Sequence, residues 1–151
     1  MKPAPPGWPR ISSALFYDDA GAAIDWLCEA FHFKVRLRIE GEGGRIEHSE
    51  LTFDDGLIMV GSAGAKPDRK VPYTSPRSLG GATTQTLCVY VDDVDAHHAH
   101  AVKRGAKVTR PLATTDYGSE YWTDRSYEAE DPEGHRWFFV QRLRNPAEAA
   151  R

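Results

Sequence analysis

The chain contains two stretches that repeat the same order of residues, and this repetition constrains the fold more than any other feature. Tyr17 precedes a pair of aspartates in the first stretch, and Tyr90 precedes a pair in the second. Each stretch then reaches a Lys-Val pair, ending at Val35 and Val108, and both correspondences span 73 positions. A duplicated unit predicts two similar halves, and the groove between such halves suits a small ligand.

Hydrophobic periodicity within each half predicts one strand, one helix and then three strands. Apolar residues at helical spacing follow each aspartate pair, and short strand-like runs bounded by turn residues follow each helix. The predicted strands are 11–17, 33–40, 45–53 and 57–62 around a helix from 18 or 19 to about 31, and 85–91, 107–114, 125–130 and 135–143 around a helix from 92 or 93 to about 104. The predicted fold class is α+β, with paired βαβββ modules in a single domain.

A segment rich in Gly, Pro, Ser and Lys separates the two halves and is the predicted linker. We expect one domain over residues 11–143, with module one at about 11–62, the linker at about 63–84 and module two at about 85–143. A proline-rich arm at 1–10 and a polar tail at 144–151 flank this domain.

Composition limits the classes of function. The net charge of -3 and the lack of a basic stripe argue against nucleic acid as a partner. No apolar stretch approaches the length of a membrane helix, and the N-terminus lacks the apolar segment of a signal peptide. Cys28 and Cys88 have no metal-binding spacing and are predicted to be buried free thiols. We therefore expect a cytoplasmic protein with no membrane partner.

Two motifs connect the repeat to a known family. Tyr-Val-Asp-Asp-Val-Asp-Ala at 90–96 opens the second helix, and Asp-Pro-Glu-Gly-His-Arg-Trp at 131–137 leads into the last strand. With the paired modules, these motifs resemble the vicinal oxygen chelate superfamily, which holds glyoxalase I, extradiol dioxygenases, and bleomycin- and fosfomycin-resistance proteins. His-Ser-Glu-Leu at 48–51 and Asp-Arg-Ser-Tyr at 124–127 are most similar to its PhnB-type branch.

The resemblance covers roughly residues 11–143 and implies a glyoxalase/bleomycin resistance/dioxygenase-like fold and a homodimer. Trp8 in the proline-rich arm also favours a homodimer, because this residue is expected to be exposed and has little core to join.

The resemblance also implies where a metal would bind. Enzymes of the superfamily commonly hold a divalent metal in the cleft, through His, Gln or Glu on the first and last strands of each module. The first-strand positions fall near Ser12 and Thr86, and the last-strand positions, four residues after the turn glycine, are Val60 and Phe138. These side chains do not form the set of donors that a divalent metal needs, and a shift of one residue brings in only Gln85 as a familiar ligand type. We therefore expect no metal and no other cofactor.

Apolar residues take the place of the missing ligands. The predicted lining of the cleft is Ser12, Ile58, Val60, Thr86 and Phe138. A groove of this character suits a small apolar or aromatic ligand.

His48 and Glu50 are two positions apart on a predicted strand, so their side chains point to the same face. On a cleft face, Glu50 would be a candidate general base, or the pair would be candidate ligands of an unusual metal site. The other interpretation is a polar pair at a sheet edge or a dimer seam. The sequence leaves the choice of face open.

Aromatic and charged residues also cluster before the penultimate strand. Trp122 is predicted to cover the cleft, and Arg125 to bind an anionic group there. An ion pair of Arg125 with Asp124 or Glu128 is the alternative.

Three histidines, at 97, 98 and 100, lie on the second predicted helix. His98 falls on the apolar stripe with Val94 and Ala101, and no acidic or cysteine partner completes a metal site. We therefore expect these histidines to have no metal-binding role.

Two functions follow from these observations. The first is binding of a small apolar or aromatic molecule without a metal, in the manner of bleomycin-resistance proteins. The second is an enzyme of the glyoxalase or dioxygenase type, which would use an altered metal site or Glu50 as base.

Overall fold

The computed structural model describes residues 1–147, and in this part of the chain each half forms one strand, one helix and three further strands. The first half contains β1 (Ser13–Tyr17), α1 (Ala20–Phe31), β2 (Lys34–Glu40), β3 (Ile46–Phe53) and β4 (Gly56–Ser62). The second half contains β5 (Thr86–Tyr90), α2 (Val94–Lys103), β6 (Lys107–Asp116), β7 (Thr123–Glu130) and β8 (Arg136–Arg144). Residues 148–151 of the predicted tail lie outside the described residues.

The strands form two four-stranded sheets with the same topology. Their orders are β1-β4-β3-β2 and β5-β8-β7-β6. The first and last strands of each half run parallel, and the other neighbours run antiparallel. The α+β class and the paired βαβββ modules are therefore confirmed. One compact unit spans Met1–Ala82 and the other begins at Thr83; the proposed single domain over both modules stays a prediction.

Each helix begins at an aspartate that caps it. The side chain of Asp19 accepts a hydrogen bond from the backbone N of Ala22 at 3.1 Å, and Asp93 accepts one from Ala96 at 2.9 Å. Such caps satisfy backbone donors that the first helical turn leaves unpaired. The duplicated aspartate pairs therefore mark the helix starts, as the sequence predicts.

The sheet of the first half is covered on one side by α1, and we call this side its helix face. Arg38 on β2 identifies the face, because its Nη1 lies 3.1 Å from Oδ1 of Asp25 on α1. Arg38 lies opposite Ser49 on β3. Directly opposed residues share a face, so Ser49 and every second residue from it on β3 belong to the helix face.

Ile58 and Val60 belong to the core beneath α1. Ile58 lies opposite Leu51, two residues after Ser49, and Val60 follows on the same face. Val60 is only 1% exposed. The prediction that Ile58 and Val60 line a ligand site is therefore wrong.

The error arises because the two hairpins that lead into the last strands differ in length. In the first half Phe53 pairs with Gly56, so the turn has only two residues, and Asp54 adopts a positive φ of 48°. In the second half Glu130 pairs with Arg136, so five residues connect the strands. The turn glycine thus lies inside the strand in one half and before it in the other.

Counting from the turn glycine therefore misaligns the two halves by one residue. Met59 lies opposite Glu50, and Phe138 lies opposite Glu128, in the same place within each sheet. The structural counterpart of Phe138 is consequently Met59, and Val60 is a core residue instead.

Asp131 holds the longer turn together. Its Oδ1 accepts hydrogen bonds from the backbone N of Glu133 and of His135, each at 3.1 Å, and its Oδ2 accepts one from Nε1 of Trp137, also at 3.1 Å. A buried carboxylate needs such donors, and this one is almost fully buried. The Asp-Pro-Glu-Gly-His motif is therefore a turn whose first residue organises the others.

The helix face of the second sheet is aromatic. Trp137 and Phe139 on β8 are fully buried. The Phe139 ring centroid lies 4.2 Å from that of His97 on α2. Nδ1 of His97 lies 2.7 Å from Oη of Tyr127, whose phenol pKa is raised by burial.

The buried face of α2 contains Val94 and Ala101, as the sequence predicts, but His97 in place of His98. Val94, His97 and Ala101 are the buried residues of α2, and they follow the spacing i, i+3, i+7 of one helical face. His97 thus takes the inward position that the sequence assigned to His98, and it serves the core.

A β-bulge occurs at the same place in both halves. The ladder shifts between Val35 and Leu37 on β2, and between Val108 and Arg110 on β6. The residues in the bulges, Arg36 and Thr109, are 73 positions apart, which is the spacing of the sequence repeat. A bulge adds one residue to a strand and turns the following side chains to the other face.

Val60→Ala tests the assignment of β4 to the core. We expect a loss of about 2 kcal/mol in the free energy of unfolding, because two buried methyl groups disappear and a cavity remains. Urea unfolding followed by circular dichroism measures this change. Val71→Ala is the matched control, since Val71 is 73% exposed and its change is expected to stay within about 0.5 kcal/mol. Equal losses in both variants would contradict the assignment.

Candidate ligand-binding site

Two of the predicted site residues, Trp122 and Phe138, belong to the second half, and Phe138 lies on the face of its sheet that α2 does not cover. Phe138 and Arg142 alternate with Trp137 and Phe139 along β8, so they lie on this helix-free face. The guanidinium carbon of Arg142 lies 5.0 Å from the ring centroid of Trp122. We call the set Tyr90, Trp122, Phe138 and Arg142 the aromatic face.

Arg142 is fixed by three hydrogen bonds at the centre of the aromatic face. Its Nε donates to Oδ1 of Asp124 at 2.5 Å, its Nη2 to Oη of Tyr90 at 2.9 Å, and its Nη1 to Oδ1 of Asn145 at 3.3 Å. The bond to Asp124 raises the pKa of the Arg142 guanidinium. The planar cation is therefore held in one orientation between aromatic rings.

The rings around this cation are accessible. Tyr90 is 56% exposed, and Tyr117 and Tyr121 next to Trp122 are also exposed. The Trp122 ring centroid lies 5.7 Å from that of Tyr117 and 6.0 Å from that of Tyr121. Exposed aromatic rings beside a fixed cation offer a planar ligand both stacking and apolar contact.

His48 and Glu50 lie on the helix-free face of the first sheet, opposite Ile39 and Leu37 respectively. Oε2 of Glu50 lies 2.7 Å from Nε of Arg36, and Oε1 lies 3.1 Å from Nε2 of His48. Chiefly the hydrogen bond with His48, and then the Arg36 guanidinium, lower the pKa of Glu50. The structure thus decides the face that the sequence left open, and it places a nearly buried, paired carboxylate there.

The proline-rich arm joins this pair through Arg36. The Nη1 of Arg36 donates to the carbonyl oxygen of Gly7, and its guanidinium carbon lies 4.9 Å from the ring centroid of Trp8. Trp8 is half-buried, and the expectation of an exposed Trp8 is wrong. The arm therefore belongs to the surroundings of Glu50, which no motif in the sequence indicated.

A second glutamate occupies the equivalent position in the second half. Glu128 lies opposite Phe138, as Glu50 lies opposite Met59. Oγ1 of Thr109, in the bulge of β6, donates to Oε1 of Glu128 at 2.9 Å. Each bulge residue therefore holds the carboxylate of its own sheet. The spacing of the repeat could have revealed Glu128, which the sequence analysis considered only as an ion-pair partner.

Arg125 is on the helix face and does not join the aromatic face. Its Nε and Nη2 lie 2.8 and 2.7 Å from the two carboxylate oxygens of Asp95 on α2. The predicted role in binding an anionic ligand is wrong because this bidentate pair occupies the guanidinium. The ion-pair alternative is right in kind, but Asp95 is the partner rather than Asp124 or Glu128.

The remaining predicted lining residues, Thr86 and Ser12, lie at the start of β5 and just before β1. Thr86 is exposed on the edge strand β5, opposite Arg136. Ser12 precedes β1, and its buried Oγ has no hydrogen-bond partner within residues 1–147.

Cys88 is exposed, and Cys28 is only half-buried. The prediction of two buried thiols is therefore wrong. Desolvation raises the pKa of Cys88, and the nearby Asp124 carboxylate adds to this effect. The thiol accordingly keeps its proton at neutral pH, which disfavours a nucleophilic role.

The strands that carry metal ligands in related enzymes provide a poor donor set here. The helix-free positions are Leu57, Met59 and Gly61 on β4, and Arg136, Phe138, Val140, Arg142 and Arg144 on β8. None carries a carboxylate or an imidazole, which are the usual ligands of such metals. Among residues 1–147, no group of three or more His, Cys, Asp or Glu side chains is arranged to hold a metal ion. The residues present do not fit the metal that the fold family implies.

Comparison with known proteins places the chain in a family. Residues 10–139 match the sequence profile of the glyoxalase/bleomycin resistance protein/dioxygenase superfamily. The chain belongs to this superfamily. An uncharacterised protein of Mycobacterium bovis is 33% identical over 141 residues, covering 90% of this chain and 85% of its own length. An uncharacterised protein of Mycobacterium tuberculosis has the same identity and is covered over 76% of its length.

Solved structures agree with this assignment. TioX from Micromonospora sp. ML1 has a TM-score of 0.69 and 31% identity, with 90% of this chain and 100% of TioX covered. The fosfomycin resistance protein FosX from Mesorhizobium loti has a TM-score of 0.56 at 12% identity, over 88% of this chain and 91% of FosX. The likeness to FosX concerns the fold alone.

The helices described in residues 1–147 include none with the length and apolar character needed to span a bilayer.

Glu50→Gln tests the electrostatics of the first sheet. Because the pKa of Glu50 is lowered in the folded state, its ionised form stabilises the protein above the unfolded pKa of about 4.3. This contribution is lost as the pH falls through the folded pKa. We expect the free energy of unfolding to fall less steeply below about pH 4.3 in the variant than in the wild type. Urea titrations between acid and neutral pH measure the slope.

Glu120→Gln is the control for this experiment, since Glu120 is exposed. Its pH profile should follow that of the wild type. Coinciding profiles of Glu50→Gln and the wild type would mean that the ion pair does not stabilise the folded state.

Proposed function

We propose that this protein binds a small aromatic molecule without a metal, and that the aromatic face of the second sheet makes the principal contact. The observation that carries the proposal is the exposure of Tyr90, beside a cation that three hydrogen bonds already hold, and of Tyr117 and Tyr121 beside Trp122. The exposure of these rings does not stabilise the fold. Contiguous exposed apolar surface commonly marks a binding site.

The fixed position of Arg142 supports a planar ligand in particular. A side chain that is held before binding loses little conformational freedom when the ligand arrives. A ring stacked on Trp122 or Tyr90 would gain about 0.5–1.5 kcal/mol beyond the burial of its apolar area. An apolar aromatic ligand also requires no new partner for the cation, because Asp124 already neutralises it.

The comparisons support the class of function more than its details. The superfamily description includes bleomycin resistance proteins, whose name refers to resistance rather than to turnover. The donor-poor positions of β4 and β8 are consistent with a binding protein. The fold by itself does not select between binding and catalysis.

Trp122→Ala tests the proposed site. We expect a panel of one-, two- and three-ring aromatic compounds to include at least one that raises the melting temperature, since a ligand at 100 times its Kd stabilises the folded state by about 2.7 kcal/mol. For that compound, the affinity of Trp122→Ala should fall about tenfold or more, because a stacked ring is lost. Isothermal titration calorimetry measures both affinities.

Trp8→Ala is the matched control because it removes the same ring from the first half of the chain. Its affinity should equal that of the wild type. An equal loss in both variants would rule out the aromatic face as the principal contact.

The second candidate function is an enzyme of the glyoxalase or dioxygenase type, with an altered metal site or with Glu50 as general base. The position of His48 next to Glu50, on the helix-free face, favours it. The lowered pKa of Glu50 and the pairing of both its oxygens oppose it, since a general base works best with a pKa near the operating pH. We therefore rank this function below binding.

Metal analysis separates the two candidates. We expect the purified protein to contain well under one equivalent of zinc, iron, nickel or manganese, and to show no change in melting temperature when these ions are added. Inductively coupled plasma mass spectrometry measures the content. One bound equivalent that disappears in both His48→Ala and Glu50→Ala would instead support the enzyme.

We also infer a homodimer, a PhnB-type relationship and a cytoplasmic location.

The homodimer is supported by Leu37 and Ile39, which are 40% and 47% exposed on the helix-free face of the edge strand β2. Val35 is exposed too, but the bulge puts it on the other face. Light scattering with Leu37→Asp tests the dimer, which should dissociate in the variant.

A further inference from the structure

Two arginines of the first half each carry a buried N–H group with no acceptor. Nη2 of Arg45 and Nη1 of Arg69 are inaccessible to solvent and make no hydrogen bond with any atom of residues 1–147. Leaving a buried donor of a charged group unsatisfied costs more than about 1–3 kcal/mol. Two such donors in one region therefore point to an acceptor from outside the chain.

The two arginines lie beside the same loop, which follows β4. The backbone N of Gly64 donates to the carbonyl oxygen of Tyr73 at 2.8 Å and closes the loop. Nη1 of Arg45 donates to the carbonyl oxygen of Ala63 at 3.2 Å. The guanidinium carbon of Arg69 lies 3.8 Å from the Tyr73 ring centroid. One closed loop thus brings both guanidinium groups to its base.

Aromatic stacking fixes the orientation of Arg69. The rings of Phe16 and Tyr73 are stacked, with centroids 4.0 Å apart. Arg69 lies over both rings, at 3.8 Å from the Tyr73 centroid and 5.6 Å from the Phe16 centroid. A guanidinium stacked in this way keeps its N–H groups in the plane of the fork, so the direction of the unpaired N–H is fixed.

A carboxylate on the neighbouring strand β3 is already engaged with two of the cations near this loop. Glu47 has one oxygen 2.7 Å from Nζ of Lys66 and the other 3.5 Å from Nε of Arg45. Lys66, and then Arg45, lower the pKa of Glu47. In and beside the loop, the cations of Arg45, Lys66, Arg69 and Lys70 outnumber the carboxylates of Glu47 and Asp68, so the local balance favours a further negative charge.

We propose that Arg45 and Arg69 form a binding site for a small oxyanion, of the carboxylate or phosphate type, at the base of this loop. Nη2 of Arg45 and Nη1 of Arg69 would donate to its oxygens, because planar guanidinium groups match the geometry of both anions. The site lies in the first half of the chain. Its residues are not those of the aromatic face, and the site extends the proposed function by adding a second ligand class.

Titration with inorganic phosphate and with acetate, against chloride at equal ionic strength, tests the site. We expect at least one oxyanion to raise the melting temperature of the wild type in a saturable way that chloride does not reproduce. The affinity should fall about tenfold or more in both Arg45→Gln and Arg69→Gln, since each loses a hydrogen bond from a charged donor.

Lys70→Gln is the matched control because it removes the same charge from an exposed position of the same loop. Its affinity should stay within about threefold of the wild type, since an exposed charge contributes little. Stabilisation by oxyanions no greater than by chloride, or an equal loss of affinity in Lys70→Gln, would overturn the proposal.

Arg69→Lys distinguishes a loss of binding from a loss of folding. It keeps the charge but loses the planar fork, so we expect folding to persist, as judged by circular dichroism, with a weaker affinity. An unchanged affinity in this variant would overturn the role given to the guanidinium. Trp122→Ala should bind the oxyanion like the wild type, so the outcome does not depend on the aromatic face.

Discussion

The packing of one helix against one side of each four-stranded sheet is the constraint on which the rest of this structure depends. A strand sends alternate side chains to opposite faces, so covering one face assigns every second residue to the core. In the second half this puts Trp137 and Phe139 beneath α2 and leaves Phe138 and Arg142 on the other side. In the first half it buries Val60 and leaves Met59 beside Glu50. The residues available to a ligand are those that the helices leave uncovered.

The same division separates two kinds of polar group. Those on the helix faces serve the fold: His97 bonds to Tyr127, and Arg125 pairs with Asp95. Those on the helix-free faces surround the glutamates and the aromatic rings, where ligand chemistry is possible. The face of the sheet on which a polar residue lies therefore indicates its role better than its residue type does. Arg125 and Arg142 illustrate the point, because they are equally basic and lie on neighbouring strands.

Much of the fold could be predicted because its signals are local. The aspartate caps fix the helix starts, and the repeated order of elements fixes the topology. The site was harder to predict, because a shift of one residue exchanges the two faces of a strand. The two-residue turn at Asp54 and the five-residue turn organised by Asp131 hide such a shift. The alternation along β8 gives the face of Phe138, whereas the contacts of Arg36 with Gly7 and of Arg69 with Phe16 join segments that are distant in sequence and leave no periodic pattern.

The paired bulges at Arg36 and Thr109 have an evolutionary consequence. A residue in a bulge stands outside the regular ladder, so its side chain changes with little effect on strand pairing. Here that residue touches the central glutamate of its sheet, and the two copies have diverged from a cation in one to a hydroxyl in the other. The two halves thus hold carboxylates at equivalent positions of their sheets, each beside a bulge residue that differs between the halves. A single substitution at one bulge residue therefore changes the charge beside the glutamate of that half and leaves the other half unchanged.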